Sequence, residues 1–170
     1  MKITPNYSMI LLARRAAIGA ALLGVAMMPA SADTITRKSD VNASASAVWS
    51  LIGPFCAIKD WLPPVGECIE DGKSPATRVL VTKDGKAAFV ETETARNEAD
   101  RSYSYRFLAS PLPVSNYRST IKVTAKDDGT STISWSGSYT PARGKDKVAS
   151  EALGGVYDAG IAEIRAKLAK

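Results

Sequence analysis

The sequence contains no histidine, and that absence excludes more chemistry than any residue present suggests. It removes the commonest general base, every Ser–His or Cys–His dyad, and the commonest nitrogen ligand of a metal site. Cysteine is scarce as well: Cys56 and Cys68 are the only two. Two thiols twelve positions apart, without histidine, do not make a zinc ligand set. They are either separate buried thiols packing as small hydrophobes, or a bridge closing a short loop and contributing about 2–3 kcal/mol. No apolar run is long enough for a membrane span. Ala16 to Met28 covers 13 residues, against the roughly 20 that a spanning helix needs.

Acidic residues are missing before Asp33, while Lys2, Arg14 and Arg15 precede the apolar run and Pro29 and Ala30-Ser31-Ala32 follow it. A basic flank, a short apolar segment and a small-x-small site form a secretory signal. Residues 1–32 are therefore expected to be removed after Ala32, leaving a periplasmic or secreted chain in a compartment that permits disulfides, with no stable membrane insertion. Residues 33–170 number 138, enough for one domain with its own core. Their 19 basic residues against 17 acidic ones leave a net charge of +2, and no run of five or six basic residues is present. Nucleic-acid binding loses its main support.

What remains is pattern. Asp33–Val41 reads as a strand, and Asn42-Ala43-Ser44 supplies cap-type residues before the short amphipathic stretch Ala45–Ile52, stopped by Gly53-Pro54. Asn42-Ala43-Ser44 is also a glycosylation sequon, but the cap is the simpler use. Phe55–Leu62 reads as a second short helix ended by Pro63-Pro64. Strands follow around Glu67–Glu70, Thr77–Thr82 and Ala87–Ala95, with Asp84-Gly85 as a hairpin turn. Between Arg101 and Tyr139 three segments alternate with a period of two. One side of them carries Tyr103, Tyr105 and Phe107, then Tyr117, Ser119, Ile121 and Val123, then Ile133, Trp135, Gly137 and Tyr139. That face is aromatic and dotted with hydroxyls, which suits a ligand cavity better than a dry core.

From Lys145 to Lys170 the periodicity changes to that of one long helix, with Val148, Ala152, Leu153, Val156, Tyr157, Gly160, Ile161, Ile164 and Leu168 on one face. Gly154, Gly155 and Gly160 each cost about 1 kcal/mol there, so they permit a bend or leave room beneath the helix. The whole is an α+β chain: about seven antiparallel strands, curved around a long C-terminal helix, with two short helices after strand 1.

This order, with Val41–Trp49, Trp61-Leu62-Pro63, Arg101–Tyr105 and Ser110–Ser119, resembles the START-like helix-grip (SRPBCC) superfamily in its polyketide cyclase/dehydrase-like branch. The Ser110–Ser119 block, together with the export signal, looks most like small periplasmic MxaD-like proteins found near methanol-oxidation systems. It is also similar to the Asn-Tyr-Arg-Ser segment of plant abscisic-acid receptors. The resemblance implies an apolar cavity between sheet and long helix. Residue by residue, Glu91 falls where those receptors place a pocket carboxylate, and Tyr117 and Ser119 fall on their pocket-facing hydroxyls. The receptors' gate sequence is missing around Lys83-Asp84-Gly85, and Leu62 stands about where their lysine would fall, so hormone binding is not implied.

Alternation puts Phe89, Glu91 and Glu93 on one side of their strand, and the resemblance makes the Phe89 side the inner one. Glu91 is then a carboxylate in an apolar cavity, where burial raises its pKa and makes it a candidate general acid or base. Alternatively it is paired with Arg78 or Arg118, or hydrated at the mouth. The candidate ligand-binding residues are Trp61, Phe89, Glu91, Tyr103, Tyr105, Tyr117, Ser119, Trp135, Leu153 and Tyr157; most aromatics at such positions also serve as core. The loop Pro111-Leu112-Pro113 forms part of the cavity mouth or a rigid connection. The leading expectation is a cofactor-free, exported protein that binds a small hydrophobic or aromatic molecule. The alternatives are a cyclase/dehydrase-type enzyme using Glu91 and Tyr117, and an accessory protein of a periplasmic redox protein, as the MxaD-like resemblance implies. No metal is expected.

Overall fold

The structure, a computed structural model, describes Met1 and residues 32–169. The expected signal segment lies outside the described residues but for its two ends, Met1 and Ala32. The elements run β1 (Asp33–Val41), α1 (Ala45–Ile52), a 3-10 turn (Phe55–Ala57) leading into α2 (Ile58–Trp61), β2 (Val65–Glu70) and β3 (Thr77–Thr82). Then come β4 (Ala88–Asn97), β5 (Ser102–Ala109), β6 (Val114–Ala125), β7 (Ser131–Pro141) and α3 (Asp146–Leu168). Ser44 is the N-cap of α1, its hydroxyl accepting the Ala47 N–H at 3.2 Å. That satisfies one of the helix's free donors. Phe55–Leu62 is not one helix: its first turn tightens to 3-10, and Leu62 leaves in extended backbone ahead of Pro63-Pro64.

The seven strands form a single antiparallel sheet in the order β1-β7-β6-β5-β4-β3-β2. Each strand after the first pairs with its chain neighbour, while β7 returns to β1. This is the helix-grip α+β fold. Curvature comes from bulges, which add a residue to one strand and increase its twist. The register shifts twice between β4 and β5 and once between β6 and β7, where Asn116 takes φ of 54°. That left-handed conformation suits Asn better than most residues. It sets the phase for the rest of β6, turning Tyr117, Ser119, Ile121 and Val123 inward, all buried. Cys56, in the tight turn, is bridged to Cys68 on β2 with a Cα separation of 5.5 Å, tying the helical segment to an edge strand.

The inner face of the sheet packs on α3 through Ala149, Leu153, Gly154, Tyr157, Gly160, Ile161 and Ile164. Val148 does not join them and is 52% exposed. Ala149, one position on, takes the inward place, and the stripe 149-153-157-160-164 leaves residue 148 about 100° away. The helix glycines do not leave room either. A Cβ on Gly160 would stand 2.8 Å from the Trp135 ring, 3.1 Å from Leu62 and 3.2 Å from Trp61; one on Gly154 would meet Arg37 at 3.2 Å. Gly160 lets the helix approach two buried indoles, and only Gly155 faces open space. A paired test follows. Gly155→Ala is expected to raise stability by about 1 kcal/mol, through helix propensity alone. In Gly160→Ala the same gain is outweighed by overpacking that costs about 1–3 kcal/mol, so urea midpoints should move in opposite directions.

Candidate functional site

Between α3, α2 and the inner face of β3–β7 lies a cavity of about 110 Å³. Its walls are almost wholly apolar. Leu153 and Val156 come from α3, Ile58 and Leu62 from α2 and the residue after it, and Leu80, Phe89, Phe107 and Trp135 from the sheet. Larger depressions exist on the surface, one of about 580 Å³ near Asp40, Lys126 and Arg165. They are open grooves, however, and enclosure by apolar walls with a few polar groups is what ligand sites share.

Of the residues expected to touch a ligand, Phe89, Glu91, Tyr105, Tyr117, Trp135 and Leu153 line this cavity. Trp61, Tyr103, Ser119 and Tyr157 are buried but stand away from it. Trp61 packs edge-on to Trp135 at 5.6 Å, and Tyr103 sits between Trp49 and Phe55. Trp61 Nε1 and Tyr103 Oη have no hydrogen-bond partner among the described residues. The Pro111–Pro113 loop contributes Leu112 to the wall. Sequence reasoning missed Ile58, Pro64, Val65, Leu80 and Thr82, which reach the cavity from short elements whose two faces are hard to tell apart, and left Val156 off the candidates although periodicity put it on the packing face of the helix.

Glu91 is 4% exposed and stands opposite Arg78 in the β3–β4 ladder. Of the alternatives open from the sequence, pairing with Arg78 is the one realised. Arg78, with no exposure, donates from Nε to Glu91 Oε2 at 2.7 Å, and its Nη2 lies 2.6 Å from the same oxygen. Its Nη1 donates to the Phe55 carbonyl, and its guanidinium carbon lies 3.8 Å from the centre of the Phe55 ring. Burial pushes the Glu91 carboxyl above the ordinary glutamate value, while the charge and hydrogen bond of Arg78 pull it back. A neutral Glu91 would leave a fully buried cation without its partner, so the pair is ionised as a unit.

Behind the cavity wall runs a chain of hydroxyls. Tyr105 and Tyr117 are 3.4 Å apart, Tyr117 and Tyr157 2.8 Å, and Tyr157 and Ser119 2.8 Å. Ser119 donates to the Ser136 carbonyl at 2.9 Å, and Trp135 Nε1 donates to Ser119 at 2.9 Å. Gly137 admits the Tyr157 hydroxyl, which would be 2.5 Å from a Cβ there. Burial is the main cause that raises these three tyrosines and the neighbouring Tyr103, with Tyr105 and Tyr117 lifted well above the usual phenol value and Tyr157 to about 12. These phenols stay neutral at ordinary pH. They hold protons in place and are poorly suited to giving them up.

The chain from 32 to 169 matches the family model described as polyketide cyclase/dehydrase and lipid transport. No curated protein sequence matches it. Among solved structures, one from Bacillus thuringiensis is 30% identical, with a TM-score of 0.76 over 81% of this chain and 100% of its own. The protein XoxI from Bacillus cereus is likewise 30% identical, with a TM-score of 0.76 over 81% of this chain and 96% of that one. Norcoclaurine synthase from Thalictrum flavum, solved with dopamine and hydroxybenzaldehyde, is 18% identical with a TM-score of 0.66, covering 82% and 87% of the two chains. That last likeness concerns the fold alone. The chain belongs to the polyketide cyclase/dehydrase and lipid transport family.

Proposed function

We propose that this member of the polyketide cyclase/dehydrase and lipid transport family is an exported protein that binds a small, mainly apolar molecule between its sheet and α3. The observation that carries the reading is a core cavity with apolar walls and a single carboxylate set into them. A core built only for stability would close over such a space, because voids cost packing energy. The volume of about 110 Å³ is below the roughly 300–1,000 Å³ of sites for drug-sized ligands. It is also below the ~150 Å³ of an engineered cavity that holds benzene. The ligand is therefore small, up to about one ring if the walls yield slightly.

Native mass spectrometry of the protein purified from its own host tests this. A retained small molecule of fixed mass is the expected result, and a consistently empty protein overturns the reading. The small volume, together with the likeness to XoxI and to MxaD-like proteins, favours a second reading. In it the protein serves a periplasmic redox protein as an accessory, and the cavity is a remnant. A protein partner co-purifying with an empty protein would decide for it. Catalysis of cyclase/dehydrase type by Glu91 and Tyr117 has less support, since Arg78 holds the one carboxylate and a neighbouring phenol holds the proton of the other group.

A further inference from the structure

We propose that the cavity selects neutral hydrogen-bond donors, namely short alcohols or single-ring hydroxyl compounds, whose O–H is accepted by Glu91 Oε1. The inference rests on the ligand-binding reading above and narrows it to a chemical class.

It follows from where each polar hydrogen points. A carbonyl only accepts, so the Ser119 proton belongs to the Ser136 oxygen. Ser119 Oγ then has two lone pairs to fill, and Tyr157 and the Trp135 N–H fill them. Having given its proton to Ser119, Tyr157 accepts from Tyr117, and Tyr117 in turn accepts from Tyr105. The polarity is thus fixed along the whole chain, from Tyr105 inward to Ser136. At the other end of the cavity Thr82 donates to Asp84 Oδ1 at 2.6 Å. Every side-chain N–H or O–H on the cavity wall is already committed. The orphaned groups of Trp61 and Tyr103 lie off that wall, as does Arg78, whose Nη2 is held against Glu91 Oε2 at 2.6 Å.

What the side chains offer instead is an acceptor. Arg78 engages Glu91 Oε2, and no group among the described residues donates to Oε1. A ketone, aldehyde or ether entering the cavity meets this oxygen with lone pairs of its own. An ammonium would add a second buried cation to an ion pair that is already balanced, and a carboxylate a second anion. A neutral hydroxyl satisfies the oxygen without changing the charge.

The test is a titration of the purified protein, followed by amide and side-chain NMR shifts, with four probes of similar size: cyclopentanol, cyclopentanone, cyclopentylamine and methylcyclopentane. Cyclopentanol is expected to shift resonances of Leu62, Phe89 and Leu153 and to bind at least about tenfold more tightly than any of the others, since a mismatched partner leaves Oε1 unpaired. Cyclopentanone or methylcyclopentane binding within threefold of the alcohol overturns the selectivity and leaves the cavity reading intact. Tighter binding of the amine overturns the neutral-donor assignment. If none of the four perturbs these residues at millimolar concentration, the ligand-binding reading itself fails, and the inference with it.

Discussion

Replacing Glu91 with leucine while Arg78 remains is expected to cost about 3–5 kcal/mol of unfolding free energy, a large share of what a domain of this size possesses. Leucine fits the apolar walls well, so the loss does not come from packing. It comes from a guanidinium without solvent exposure that keeps the Phe55 carbonyl and the Phe55 ring but loses its only carboxylate. The effect should be asymmetric. In Arg78→Met with Glu91 retained, the carboxyl can take up a proton, so part of the penalty is recovered at low pH. No such escape exists for arginine, which keeps its charge at any accessible pH. The double variant Arg78→Met/Glu91→Leu removes both charges and should regain most of the stability, ending within about 1–2 kcal/mol of the parent or above it. Urea unfolding of the four proteins gives the coupling directly. If Glu91→Leu alone lies within 1 kcal/mol of the parent, the pair is hydrated and not sealed in the core as described.

That pair also shows how far the sequence could be read. Its alternation placed Glu91 on one face with Phe89, the family resemblance made that face the inner one, and Asp84-Gly85 marked the hairpin joining β3 to β4. Carrying the pairing outward from that turn, with Thr82 N–H bonded to the Ala87 carbonyl, brings Arg78 opposite Glu91. The choice between Arg78 and Arg118 was therefore decidable from hairpin register. What the pattern could not decide was the face of β3, because Val79 and Val81 on one side are as apolar as Leu80 on the other. The strand limits of β1 and β3 and the helix Ala45–Ile52 were legible because caps, turns and period are local. The bulge at Asn116, the close approach at Gly160 and the size of the cavity were not. Each depends on how distant elements pack, and glycine in a helix reads the same whether it leaves a space or fills one.

The second large effect concerns the hydroxyl chain, and it is expected at alkaline pH. Burial lifts Tyr157 from 10.0 to about 12, chiefly by desolvation, and lifts Tyr103, Tyr105 and Tyr117 in the same direction. A phenol whose pKa is higher in the folded state binds its proton more tightly there. Its contribution is complete below the unfolded value of about 10 and is lost as pH rises through the folded value. For Tyr157 alone a rise of that size corresponds to about 3 kcal/mol, most of it lost by about pH 12. The denaturation midpoint should therefore be flat between about pH 7 and 9 and fall steeply above 10. The ultraviolet signal of tyrosinate from Tyr103, Tyr105, Tyr117 and Tyr157, assigned by single Tyr→Phe variants, should appear together with unfolding and not before it. Tyr157→Phe separates the two roles of this hydroxyl. At neutral pH it should cost about 1–3 kcal/mol, since it strands the Tyr117 proton and leaves Ser119 short of a donor. Above pH 10 its stability should decline less steeply than that of the parent, because one of the raised phenols is gone. Titration of Tyr105, Tyr117 or Tyr157 near pH 10 in the folded protein would mean that water reaches the chain, and the fixed proton polarity from Tyr105 to Ser136 would not hold.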